Sequence, residues 1–338
     1  MAILVTGGAG YIGSVMTETL LAAGYPVVVY DNFSHGYRDS LASEAHLVEG
    51  DIGDRNRLDA TFAAHSITGV IHMAAFIEVG ESMREPGKYL DNNFGRPLAL
   101  LEAMRAAHVR QFVLSSTAAV YGTPESVPLR EDAPTRPVNP YGLSKFMLEQ
   151  ALAWFSTRGL FYAALRYFNA AGATARCGER HQPETHLIPL VLQAAAGERD
   201  AIQIYGSDYD TPDGTCIRDY IHVRDLAAAH LVALRRLEQE QATDTGHADA
   251  PRPMPDLASR AYNLGNGRGF SVREVIAAAE RVCGHKIPVQ QCPRRPGDPD
   301  RLIASSEKML AAGWRPQHPN LEEIVASAWE WKQARKQA

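Results

Sequence analysis

Apolar residues in the first half of the chain fall in short, nearly unbroken runs, separated by stretches of helical periodicity. Residues 3–5, 26–30, 46–48, 70–73, 111–115 and 162–166 read as six strands, and 11–23 as the first helix. Unbroken runs mark strands covered on both faces, as in a parallel sheet between two helix layers. The pattern therefore predicts an α/β fold with a doubly wound parallel sheet. After Asn169 the rhythm changes. Shorter elements appear among Gly- and Pro-rich loops, including a strand at 202–205 and the capping-box spacing Ser271-Val272-Arg273-Glu274 ahead of a helix. This half is expected to form a smaller mixed α/β domain. The boundaries read as 1–175 for the sheet domain with a returning segment at about 218–260, and 176–217 plus 261–338 for the second domain. Residues 238–257, rich in Gln, Pro and Asp, read as a solvated loop. No internal repeat is visible.

Composition narrows the function classes. The 338 residues are 45% hydrophobic and 22% charged, with a formal net charge of −5. That balance argues against a general nucleic-acid binder. No apolar run is long enough to cross a bilayer, and Met1 to Thr6 lacks the basic start of a signal peptide, so a cytoplasmic enzyme is expected. The four cysteines (Cys177, Cys216, Cys283, Cys292) form no C-x-x-C pair and read as reduced thiols. His181 and His186 lack an obvious third ligand in sequence, so no metal is expected.

Gly7-Gly8-Ala9-Gly10-Tyr11-Ile12-Gly13 follows the first strand and opens the first helix. Glycines let the backbone turn tightly and approach a pyrophosphate, and the helix N-terminus offers N–H groups and a positive dipole end. Asp31 closes the second strand about 20 residues on, where a carboxylate bonds a ribose 2′-hydroxyl and repels a 2′-phosphate. NAD is thus expected rather than NADP, although Asp31 beside Asn32 also suits a turn. Asp51, at the end of the third strand, is placed to meet the adenine edge.

Tyr141-Gly142-Leu143-Ser144-Lys145 carries the candidate chemistry. Asn139 suits an N-cap and Pro140 a first helical residue. Tyr141 and Lys145 then share one helical face. A free phenol has a pKa of about 10, and a nearby ammonium lowers it toward that of a useful base.

With the pair following the glycine turn, the chain resembles the extended short-chain dehydrogenase/reductases (Rossmann fold), and within them the UDP-glucose 4-epimerase family. The shared stretches include Val79-Gly80-Glu81-Ser82, Ser115-Ser116-Thr117-Ala118-Ala119-Val120-Tyr121-Gly122, Leu165-Arg166-Tyr167-Phe168-Asn169, Asp213-Gly214-Thr215, Arg218-Asp219-Tyr220-Ile221-His222-Val223, Tyr262-Asn263-Leu264-Gly265 and Arg294-Arg295-Pro296-Gly297-Asp298. The resemblance covers nearly the whole chain. It implies that Tyr141 takes the proton of a sugar 4-hydroxyl, with Thr117 bonded to both, while hydride passes to NAD and returns to the other face. It places Gly7, Gly10, Tyr11, Ile12, Gly13, Asp31, Asn32, Asp51, Ile52, Ala74, Ala75, Asn92, Ser115, Tyr141, Lys145 and Phe168 along the cofactor. Thr117, Tyr141, Asn169, His186, Leu187, Tyr205, Arg218, Arg295, Asp298 and Leu302 are placed along a UDP-sugar. Arg218 and Arg295 suit diphosphate oxygens, though an Arg is more commonly a surface ion-pair partner. Tyr205 fits uracil stacking or core packing.

Five positions separate this chain from related patterns. Sugar dehydratases of the same group carry Asp-Glu after the Thr, where Ala118 and Ala119 stand. Ile77 and His186 replace a Lys and an Asn of some epimerases. Leu302 stands where strict UDP-glucose/galactose enzymes have a Tyr, which implies acceptance of N-acetylated sugars too. A 4-epimerase of a UDP-uronic acid or UDP-pentose is the competing activity. A non-catalytic NAD-sensing protein is the competing class, disfavoured because Tyr141 and Lys145 are both kept. The family implies a homodimer paired through the helix near 97–107 and the one starting at Tyr141; the apolar run Leu98-Ala99-Leu100-Leu101 fits that role or core packing equally.

Overall fold

The computed structural model describes residues 1–245, 251–295 and 298–337. Its strands, in chain order, are β1 (Ala2–Thr6), β2 (Val27–Asp31), β3 (His46–Glu49), β4 (Ile67–His72), β5 (Gln111–Thr117), β6 (Phe161–Tyr167), β7 (Asn169–Ala171), β8 (Ile202–Tyr205), β9 (Ile217–His222), β10 (Ala261–Leu264), β11 (Gly269–Ser271), β12 (Val289–Cys292) and β13 (Arg301–Leu302). Seven of them form one sheet in the order β10-β6-β5-β4-β1-β2-β3, with every pairing parallel. The six expected strands are all in this sheet, and the doubly wound architecture stands.

The unbroken apolar runs split between two cores because successive side chains of a strand face opposite ways. Ile3, Val5, Val27 and Val29 join Val15, Met16 and Leu20 of the Tyr11–Ala22 helix and Leu226, Ala233 and Leu234 of the Val223–Ala242 helix. Leu4, Val28, Tyr30 and Val70 face the other way, onto Leu58, Leu100, Met104, Leu148 and Leu152. Leu100 and Leu101 of the apolar run are therefore core residues, while Leu98 and Ala99 are half-buried.

A third core holds Ile188, Val191, Ile202, Ile204, Val275, Ile276, Ile324 and Val325. Above it β9 pairs with β7 and β13 in parallel and with β11 antiparallel, while β12 pairs with β8 in parallel. The Ser271 capping box is present, with both reciprocal bonds made. Two expectations change here. β10 belongs by pairing to the large sheet, although residues from 261 onward were expected in the second domain; β9, expected to return to the sheet domain, pairs only with strands of the smaller sheet. The expected loop at 238–257 begins as helix, since Val223–Ala242 continues past Glu238. Gln and Glu are good helix formers, and Tyr25 Oη donates to Glu238 at 3.0 Å while Arg260 pairs with Glu240 at 2.5 Å. Residues 246–250 of that stretch lie outside the described residues.

One buried ion pair ties the sheet to the catalytic helix. Arg166 on β6 and Glu149 on the Pro140–Ser156 helix have side chains 1% exposed and meet at 2.7 and 3.1 Å. Ser116 donates to Glu149 at 2.5 Å, Arg166 donates to Tyr121 Oη at 2.9 Å, and Tyr121 donates to Asn263 at 2.6 Å. Burial alone would lower the Arg166 pKa, but Glu149 more than reverses that and holds it raised. Removing one partner strands the other charge. Glu149→Ala is expected to cost about 3–5 kcal/mol in chemical denaturation, whereas a change under about 1 kcal/mol would mean that water reaches the pair.

Candidate active site

The glycine turn is built for close approach. Gly7 has φ +71°, and a Cβ there would lie 2.6 Å from the Ala74 nitrogen. A Cβ at Gly13 would lie 2.0 Å from the Gly7 carbonyl oxygen. Gly10 is different: a Cβ there would meet only the Gly7 oxygen at 3.3 Å, so the face over Gly10 is open. Gly10 also caps the Tyr11–Ala22 helix without a side-chain bond, and no acidic residue sits in the first turn. An open backbone face at a helix N-terminus suits a pyrophosphate. Asp31 lies at its flank, accepting from the Ala9 N–H at 2.9 Å and the Phe33 N–H at 2.8 Å. Its pKa is raised by burial, against those two bonds. Asn32 donates to Asp51 at 2.9 Å, and Asp51 pairs with Arg96 at 2.7 Å. Asp51 is thus a hub for the loops at this edge, with Ile52 buried beneath.

Ala74 and Ala75 follow β4 and are half-buried, with Ala74 against the glycine turn. Asn92 is buried and donates to Asn93 at 3.0 Å. Asn93 itself was not singled out from sequence. It accepts from Phe76 N–H at 2.8 Å and donates to Phe76 O at 2.9 Å and to Ser144 at 3.2 Å. It thereby fixes the loop after β4 to the catalytic helix. It sits in a π-type turn, Asp91–Gly95, a feature often found at functional sites. No local spacing signals it, because its partners are far away in sequence.

The catalytic helix starts as expected: Asn139 accepts from Gly142 N–H at 2.8 Å, with Pro140 first. Gly142 is required by packing, since a Cβ there would lie 2.5 Å from the Ala119 oxygen. Thr117, which ends β5, lies close enough to Tyr141 for its hydroxyl to act on the phenol. One turn on, Lys145 is buried and donates to the Ser115 carbonyl at 2.8 Å. The titration behaviour differs from the expectation. Burial raises the Tyr141 phenol, the Thr117 hydroxyl lowers it, and Glu78 raises it; Lys145 is not among the causes. Lys145 is itself lowered to about 7 by burial, with Glu149 opposing. Both groups lose hydration, and desolvation disfavours the phenolate and the ammonium alike. Glu78, another residue not anticipated, enters because its segment folds over the site.

Ala118 is buried and Ala119 half-buried in the turn after Thr117. Ala118 packs in a small cluster with Val120, Tyr121 and Leu129, against which Phe168 and Leu302 lie. Among the described residues, Arg218 and Asp298 meet at 3.4 Å, and Leu302 is paired in register with Arg218. Arg295 stacks over Tyr205 at 3.8 Å, and Asn169 donates to the Asp219 carbonyl at 2.8 Å. His186 precedes the Leu187–Ala195 helix and bonds Glu184 at 2.8 Å. The sequence argument that His181 and His186 lack a third ligand is corrected, because Glu179 brings a carboxylate oxygen beside both.

Residues 3–247 match the profile of the NAD dependent epimerase/dehydratase family. The chain is 49% identical over 335 residues to a UDP-glucose 4-epimerase of Halalkalibacterium halodurans, covering 98% of this chain and 95% of that one. It is 50% identical over 334 residues to a UDP-glucose 4-epimerase of Streptomyces lividans, covering 97% and 95%. Among solved structures it is similar to the UDP-glucose 4-epimerase of Brucella ovis in complex with NAD, with a TM-score of 0.89, 42% identity and 97% of each chain covered. The Thermotoga maritima UDP-glucose 4-epimerase with UDP-glucose has a TM-score of 0.83 at 32% identity, covering 99% of this chain and 100% of that one. By its parallel sheet, its glycine turn, its Tyr141–Lys145 helix and its full-length likeness to these enzymes, the chain belongs to the NAD-dependent epimerase/dehydratase family.

Proposed function

We propose that this protein interconverts UDP-hexoses at C4, with NAD as its resident cofactor. The observation that carries the reading is Tyr141 beside Thr117 and one turn from Lys145, with alanines rather than carboxylates in the two positions after Thr117. NAD, when bound, supplies the acceptor for the C4 hydride and returns that hydride to the opposite face of the sugar. Tyr141 Oη takes the proton of the 4-hydroxyl and later gives it back. Thr117 fixes the hydroxyl in line with that oxygen, and Lys145 lies one turn on along the same helical face. Ala118 and Ala119, the two positions after Thr117, offer no carboxyl group to act as the base that elimination needs. The open face over Gly10, with Asp31 at its flank, fits the pyrophosphate and ribose of NAD. Arg218, Arg295, Asn169 and Asp298 are the residues assigned to the UDP moiety.

Leu302 supports acceptance of N-acetylated hexoses. It is half-buried against Phe168 and the Ala118 cluster, with no hydroxyl and less bulk than an aromatic residue. Two copies are proposed to pair through the catalytic helix, where Leu143 and Trp154 are exposed at 39% and 67%. No helix of the described residues is long and apolar enough to cross a membrane. The four free cysteines support a reducing compartment such as the cytoplasm.

The purified protein incubated with UDP-galactose, without added reductant, should yield UDP-glucose. Tyr141→Phe should lower kcat by about 10²–10⁴-fold while NAD stays bound; unchanged turnover would remove Tyr141 from the chemistry. UDP-N-acetylgalactosamine should also be converted, and Leu302→Tyr should depress that activity selectively. Conversion of UDP-galactose alone by the unaltered chain would refute the Leu302 reading. In sedimentation experiments Trp154→Glu should shift a dimer to monomer, and an unaltered chain that sediments as a monomer would overturn the pairing.

A further inference from the structure

Residues 174–186 form a strap between β7 and the Leu187–Ala195 helix, and the strap crosses the glycine turn. Tyr37 Oη donates to the Arg180 carbonyl at 3.0 Å, and Arg180 lies over the Tyr37 ring at 3.6 Å and pairs with Asp39 at 2.6 Å. A narrow cleft runs beneath, with Ala9, Tyr11 and His35 on one wall and Glu179 and His181 on the other. The strap thus covers the edge of the dinucleotide site.

Three of its side chains converge. One ligand atom each from Glu179, His181 and His186 lies within 4.8 Å of the other two. Glu179 Oε1 and His181 Nδ1 are 2.5 Å apart, and the two imidazole centroids are 5.9 Å apart. The Glu179 side chain is 12% exposed, so this is not a pair waving in solvent. Glu184, 5% exposed, holds His186 Nδ1 at 2.8 Å and leaves Nε2 as its ligating atom. A carboxylate that orients a ligating imidazole from behind is the usual outer partner of a metal-bound histidine.

We propose that Glu179, His181 and His186 bind one divalent transition-metal ion of the zinc class, which staples the strap over the glycine turn. Two imidazoles and a carboxylate suit zinc, cobalt or nickel rather than calcium or magnesium. Donors of a tetrahedral zinc site sit roughly 3.3 Å apart, from metal–ligand distances near 2.0–2.2 Å. The Glu179–His181 pair needs to open slightly toward that spacing, and the more exposed His186 ring needs to approach it. Water takes the fourth position.

The test uses untagged protein carrying its NAD, dialysed against chelator and then titrated with Zn²⁺ by calorimetry. One ion per chain is expected, with a Kd below about 10 µM and a rise in Tm of at least about 2 °C. Co²⁺ should compete and give the visible absorption of a four- or five-coordinate site. Glu179→Gln and His181→Asn should each weaken zinc at least ten-fold. If Glu179→Gln fails to fold, His181→Asn decides alone, because it keeps a hydrogen-bond donor toward Glu179. No saturable binding up to about 1 mM, or equal affinity in the unaltered chain and the variants, overturns the site. NAD should dissociate more slowly from the zinc-loaded protein, and an unchanged release rate with zinc bound overturns the staple.

Discussion

The structure depends on burying a lysine amine inside a protein, where lost hydration disfavours its charged form. Lys145 must sit one turn from Tyr141, and that turn packs against the end of β5, where water does not hydrate it. Four residues on, Glu149 is equally buried and opposes that shift, and Arg166 on β6 pairs with Glu149. Each charge would be costly alone, and together they offset one another only if helix, β5 and β6 keep their register. The residues that join this pair, Ser116, Tyr121 and Asn263, come from β5, from the turn after it and from β10. The geometry of the catalytic pair is therefore a property of the sheet, not of the helix alone.

The same sheet explains why the site lies where it does. All seven strands run the same way, so Thr6, Asp31, His72, Thr117 and Tyr167 end at one edge. The loops that leave this edge carry the glycine turn, the Asp31 flank, Ala74 and Ala75, and Thr117. Ligands of doubly wound sheets bind outside these carboxyl ends. The smaller sheet contributes Arg218 and Leu302 side by side on β9 and β13, so the two halves of a nucleotide sugar would be gripped from different layers.

What the sequence disclosed was whatever depends on near neighbours. The glycine turn, the Asn139 cap, the Tyr141–Lys145 spacing and the Ser271 capping box are all set within a few residues, and each is present. What it concealed depends on partners far along the chain. Asn93 joins Phe76 to Ser144, Glu78 reaches Tyr141 across the fold, and Glu179 becomes a neighbour of His186 only when the strap bends back. The expected depression of the Tyr141 phenol shows a different gap. Spacing gives the distance between two groups but not how deeply both are buried, and burial dominates their titration here. The loop expected at 238–257 gives way to helix only over 238–242, where polarity was read as irregularity although a charged helix face exposed to solvent has the same composition.

The edge position of β10 has a consequence for synthesis on the ribosome. β6 ends at Tyr167, but the strand that covers its outer edge begins only at Ala261, after β7, β8 and β9 have been made. At ordinary translation speeds of about 5–20 residues per second, that interval is roughly 5–20 s. Throughout it the nascent chain carries an open parallel edge of Phe161 to Tyr167, the kind of surface that recruits stray strands. The Glu149–Arg166 pair meanwhile lacks the link from Tyr121 to Asn263, so the catalytic half matures only when the distant strand arrives.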